Sequence, residues 1–122
     1  MEYINNQEFE KLNLRIGTIK AVQPHPKLHD YLLLIDLGPA EQDMQIIADL
    51  AETYTMAELV GRQVTFLENF NPVMIGGIES QGLLLIAHQT GKPVLISPER
   101  PVLTGVQVYG LHDSEIVYHK NE

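Results

Sequence analysis

Cysteine is absent from this sequence, which excludes disulfides and thiolate chemistry and fits a reducing compartment. Long apolar runs are lacking as well. None approaches the roughly 20 residues that a membrane helix requires, and the N-terminal MEYINNQEFEK does not have the charged-then-apolar order of a secretory signal. Together these absences lead us to expect a cytoplasmic protein with no membrane partner. Catalytic signatures are scarce too. Only three serines occur, and Ile78 stands where the GxSxG elbow around Ser80 would need its first glycine. Neither GxxxxGK nor GxGxxG is present, so no phosphate-cradling loop or dinucleotide fingerprint can be drawn. We assign no catalytic residue and no cofactor, and expect a protein that is not an enzyme.

Positive charge is the other scarcity. The chain carries 8 lysines and arginines against 16 acidic side chains, a net charge of -8. From Leu28 to Gly91 the only cation apart from histidines is Arg62, while nine carboxylates share that span. Nucleic-acid binders draw much of their affinity from Lys and Arg neutralising phosphates. Any basic face must therefore be assembled from the first strand and the C-terminal third, where Lys11, Arg15, Lys20, Lys27, Lys92, Arg100 and Lys120 lie.

What is present is the composition of one ordinary globular domain: 122 residues, 44% of them apolar and 20% charged. Residues 1–8 are polar and read as a mobile segment or as an arm used in a dimer. Leu12, Leu14 and Ile16 alternate as in a half-buried strand, and after Gly17 the inward phase moves to Ile19 and Ala21. That slip suggests a β-bulge, which lets a small barrel bend a long first strand. Further strands are expected at Tyr31 to Leu37, Met44 to Leu50, Val64 to Phe70 and Leu83 to His88. Thr55 with Glu58 forms a capping-box pattern over a short helix ended by Gly61. Gln89 to Gly91 turns into Pro93 to Ile96 as a hairpin, and Val106 to Val108 and Ile116 to Tyr118 are short β-prone stretches. The result is all-β: a barrel with a short helix between strands three and four and extra C-terminal strands.

Candidate chemistry is limited. His25 and His29 have a spacing useful on a helix, but Pro24 and Pro26 make the segment an extended loop. With Asp30 beside them they read as a solvated loop, and we assign no metal site. Phe66 and Phe70 share the phase of Val64 and are read as core, whereas Tyr109 and Tyr118 suit a subunit interface. The stretch Asn69 to Ala87, NFNPVMIGGIESQGLLLIA, differs from all of these. Gly76, Gly77 and Gly82 bracket Glu79, Ser80 and Gln81, which gives a polar rim between two strands. A purely structural reading, with Glu79 and Gln81 satisfying backbone groups, stands beside a ligand-binding one.

GGIESQGLLL at 76 to 85, after NFNP at 69 to 72, resembles the signature loop of the tRNA-binding domain family. That family includes free-standing tRNA-binding proteins and the C-terminal appendix of some methionyl-tRNA synthetases. FEKLNLRIGTI at 9 to 19, HP at 25 and 26, ELVGRQV at 58 to 64 and SPERPVLTGVQV at 97 to 108 agree in order. The resemblance implies a five-stranded oligonucleotide-binding (OB-fold) barrel over residues 9–108, with 109–122 as an extension available for a dimer contact. It also implies a homodimer that recognises tRNA shape and backbone. Arg15 and Lys27 would serve phosphate, Asn71 and Ser80 would supply hydrogen bonds, and Leu83 stands where the family typically has methionine. Other positions depart from the family pattern. Asn71, Met74 and Gly76 replace commonly basic residues, Asp30 stands near a usual lysine, and Ala48 and Asp49 replace a serine and a glycine. A related branch of the family resembles a secretion chaperone that holds unfolded polypeptide, which suits an acidic surface. An accessory subunit of a synthetase is a further reading.

Overall fold

The computed structural model describes residues 1–113 and 115–117. In chain order the elements are α1 (Asn6–Glu10), β1 (Leu14–Pro24), β2 (Tyr31–Asp36), β3 (Met44–Ala48), α2 (Met56–Leu59) and β4 (Gln63–Leu67). Then follow β5 (Val73–Ile75), β6 (Ile78–Ser80), β7 (Leu83–Leu84), β8 (Ile86–Gln89), β9 (Lys92–Leu95), β10 (Gly110–His112) and β11 (Glu115–Val117). One antiparallel sheet in the order β3-β2-β1-β4-β7 forms a nearly closed barrel, as an OB-fold requires.

β1 is long enough to serve two neighbours. Leu14 to Thr18 pair with β4, and Thr18 to Pro24 pair with β2. The bulge lies between Ile19 and Ala21, not at Gly17, so Ala21 faces outward, against the phase read from the sequence, and Val22 packs on the core. Gly17 has a different task, since a Cβ there would run into the side chain of Ile35. Where β2 diverges, residues 105–108 take the vacated edge of β1, with Ile16 N–H bonded to Val106 O and Val108 N–H to Leu14 O.

Ile19, Leu33, Ile35, Leu37, Leu59, Val64 and Phe66 are sealed from solvent at the centre. Burying each contributes about 1.5–3 kcal/mol. α2 begins as its capping box predicts: Thr55 Oγ1 accepts from Glu58 N–H and Glu58 Oε1 from Thr55 N–H. Only Leu59 of this helix is buried; Met56 and Val60 stay outside.

Three expectations need correction. The arm is partly helical, because Asn5 and Glu8 make a second capping box that the polar composition conceals. Strand four ends at Leu67, so Phe70 lies outside the core and is 47% exposed. The segment Leu83 to His88 divides, with β7 pairing to β4 and β8 to β9, because one short strand cannot follow both partners. The β8–β9 hairpin itself forms as expected, with Thr90 and Gly91 both at positive φ, the signature of a type I′ turn. β10 and β11 make a separate hairpin; Tyr118, expected at an interface, lies outside the described residues.

Candidate nucleic-acid interface

The signature stretch forms a second hairpin, β5–β6, that hydropathy alternation does not reveal. Gly76 and Gly77 occupy its turn at φ +59° and +83°, again the type I′ geometry. The local signal for it is two adjacent glycines between Val73-Met74-Ile75 and Ile78.

His25 fixes this hairpin to the barrel. Its imidazole is buried, and Nδ1 accepts from the N–H groups of Lys27 and Leu28 at 2.9 and 3.0 Å. An acceptor at Nδ1 places the proton on Nε2, which donates to Ile75 O at 3.1 Å. A Cβ on Gly76 would come within 2.6 Å of the imidazole, so glycine lets the turn lie flat on the ring. The expectation of a solvated histidine is thereby corrected: all the polar capacity of His25 goes into joining loop 25–30 to the hairpin. The joined pair is a rim that presents Lys27, Asn71 and Met74 to solvent.

The SQG triplet closes the barrel. At the open edge of β3, Ile47 N–H donates to Ser80 Oγ at 2.9 Å, and Gln45 N–H donates to Gln81 Oε1 at 2.9 Å. In return Gln81 N–H donates to Gln45 O at 2.7 Å, and Gln45 Nε2 to Glu79 O at 2.8 Å. Side chains thus replace part of the ladder that two regular strands would share. Gly82, at φ +71°, leaves no room for a Cβ, which would sit 2.7 Å from Leu67 O and press on the Phe66 ring. Ser80 is 4% exposed, inside the seam.

Arg15 is likewise turned inward. Its Nε donates to Gly105 O at 2.6 Å, and its Nη1 meets Glu41 at 2.8 Å and Glu68 at 3.0 Å, leaving the side chain 14% exposed. Asn13 Nδ2 adds a 2.7 Å bond to Glu68. Two carboxylates on one guanidinium cannot ionise alike. Glu41 is held below the usual carboxylate range by its hydrogen bond with Glu68 and by Arg15, while burial and the adjacent Glu41 push Glu68 up.

Beside the rim, β3, β5, β7 and the β8–β9 hairpin enclose a groove of about 450 Å³. Its walls include Ile47, Phe70, Val73, Leu83, Ile86 and Pro93. The structure therefore gathers Lys27, Asn71 and Leu83 around one hairpin, and separates Arg15 and Ser80 from them as internal struts.

Comparison with known proteins agrees with this architecture. The family model described as "Putative tRNA binding domain" matches residues 14–107. The methionine–tRNA ligase of Archaeoglobus fulgidus is 38% identical over 108 residues, which cover 88% of this chain but 16% of the ligase. This chain thus spans about one sixth of the length of that relative. Among solved structures, a MetRS related protein from Pyrococcus horikoshii superimposes with TM-score 0.79 at 30% identity, covering 88% of this chain and 99% of that one. The chaperone CsaA from Bacillus anthracis does so with TM-score 0.77 at 29% identity, covering 88% and 99%. A match from β1 through the β1-paired segment at 107 takes in the whole barrel and its signature hairpin, and this chain belongs to the tRNA-binding domain family.

Proposed function

We propose that the chain binds tRNA without catalysing a reaction on it, reading the shape and backbone of the folded RNA at the rim formed by loop 25–30 and the β5–β6 hairpin. The observation that carries this reading is the His25 clamp, which holds Lys27 and the signature hairpin as one rigid unit within a barrel of the tRNA-binding family. Lys27 supplies charge to a phosphate, Asn71 supplies hydrogen bonds, and Leu83 and Phe70 offer apolar surface to an unstacked base. Arg15 and Ser80 act indirectly, by holding β1 and the barrel seam in place. A homodimer built through the 109–122 extension, acting in the cytoplasm or as an accessory to a synthetase, is consistent with this reading.

A titration of bulk tRNA against salt, with an RNA duplex of equal length as competitor, tests it. Affinity in the micromolar range or tighter that falls steeply with salt and prefers tRNA is the expected result. No binding at low salt would sink the proposal.

One observation favours a second reading, in which polypeptide is the ligand. The groove beside the rim is walled mainly by aliphatic and aromatic side chains and belongs to a protein with net charge -8. An apolar or basic peptide suits such a surface better than RNA does, and CsaA structures share the fold. Peptide binding that persists in high salt, with no response to tRNA, would decide for it.

A further inference from the structure

A second concavity lies away from the rim. The turn from α2 into β4 and the segment Ser97 to Pro101 face each other across a groove of about 660 Å³, with Arg62 on one side and Arg100 on the other. None of Lys27, Asn71 and Leu83 lines it.

Both walls are rigid. Arg62 lies over the Tyr54 ring, 5.3 Å from its centroid. That ring is itself fixed, since Tyr54 Oη accepts from Leu95 N–H at 3.1 Å and Tyr54 O accepts from Tyr31 Oη–H at 2.9 Å. Opposite, the Gln63 side chain grips both backbone groups of Val102, donating to its carbonyl at 2.8 Å and accepting from its N–H at 3.0 Å. Pro98 and Pro101 stiffen the wall between.

The arginines and lysines of the fold are not equally available. Arg15 and Lys20 are neutralised by Glu41, Glu68 and Asp43. Among the described residues Arg62 makes no ion pair, and Arg100 pairs only with its sequence neighbour Glu99. Both members of that pair are more than three-quarters exposed, at 79% and 76%. Such a pair is weak and readily exchanged. Two planar guanidinium groups, one with no close ion pair though Glu58 feels its charge and one loosely held, are suited to bidentate capture of phosphate.

We propose that this groove is a second RNA-backbone subsite, in which Arg62 and Arg100 each take a phosphodiester while Glu99 competes for Arg100. The inference rests on the tRNA-binding reading above and extends it to a surface that the signature rim does not reach.

The test uses the full chain, bulk tRNA and three variants, with circular dichroism to confirm folding. The double variant R62Q/R100Q should lose about tenfold in affinity, and its log-affinity slope against log salt should fall by about one to two. E99Q should bind tRNA more tightly, and R100Q alone more weakly. These last two positions are exposed, so the opposed pair decides the question even if R62Q/R100Q does not fold. Unchanged affinity and slope in all three variants, with wild type still binding tRNA, would overturn the groove and leave the rim reading intact. Failure of wild type to bind tRNA would overturn both. Inorganic pyrophosphate separates RNA from a free anion. If millimolar pyrophosphate shifts the Arg62 and Arg100 side-chain NMR signals while tRNA leaves them unmoved, the site serves free phosphate and the RNA assignment fails.

Discussion

Single side chains here carry the clearest division between scaffold and ligand contact. Ser80 Oγ is the acceptor for the buried N–H of Ile47. Ser80→Ala should therefore cost about 1–3 kcal/mol, read as a lower urea midpoint. Its tRNA affinity, measured where the protein remains folded, should be unchanged. A fall in affinity at constant fold would instead return the hydroxyl to the RNA. The carboxylates on Arg15 give a second contrast. Glu68 has a raised folded-state pKa, so its ionisation opposes folding, and that cost appears as pH climbs past the ordinary carboxylate range. Glu41 is lowered, so its ionised form stabilises, and that contribution is lost as pH falls through its folded value. At pH 7 Glu41→Gln should lower the unfolding free energy. Glu68→Gln should leave it equal or higher, because the amide oxygen can keep the bonds from Arg15 and Asn13 while the charge that burial and Glu41 disfavour is removed. Equal losses from the two variants would contradict this assignment. From sequence Arg15 reads as a free cation on strand one. Its partners Glu41 and Glu68 are 26 and 53 residues away, and local pattern does not report pairings of that span.

At the level of elements, local chemistry makes some pieces legible and tertiary competition hides others. The α2 capping box and the β8–β9 turn follow from neighbouring residues, whereas the bend in β1 is legible as a feature but not at its position, between Ile19 and Ala21. The β5–β6 hairpin does not emerge from pattern, because a three-residue strand carries almost no periodicity and is held here by the His25 clamp on one side and by the β3 bonds to Glu79 and Ser80 on the other. That dependence is testable. His25→Ala leaves the N–H groups of Lys27 and Leu28 without their acceptor and Ile75 O without its donor. Hydrogen exchange at Lys27 and Leu28 should quicken by one to two orders of magnitude, as expected for the loss of about 1–3 kcal/mol of local bonding. Amides of β1 and β4 should keep their protection. Uniform acceleration throughout the barrel would mean that the clamp supports the whole fold rather than the rim.

For the whole molecule, charge decides how tightly an acidic chain can hold RNA. Lys27 stands on the rim with no ion pair among the described residues, so Lys27→Glu removes one phosphate contact and adds a repulsion. The expected result is about tenfold weaker tRNA binding at moderate salt, with the difference shrinking as salt rises. A salt-independent loss would point to a change of shape instead. The sequence by itself determined the barrel class, the short helix between strands three and four and the membership of the tRNA-binding family. Alternation, capping boxes and paired glycines act over a few residues, and an ordered series of motifs needs no coordinates. Only the tertiary structure decided which polar side chains are available to a ligand. In one dimension Arg15 and Ser80 look like ligand groups, and His25 looks like part of a solvated loop. Each is engaged by a partner distant in sequence, Gly105 for Arg15, Ile47 for Ser80 and Ile75 for His25, because folding brings a donor and an acceptor together wherever burial would otherwise leave one unpaired.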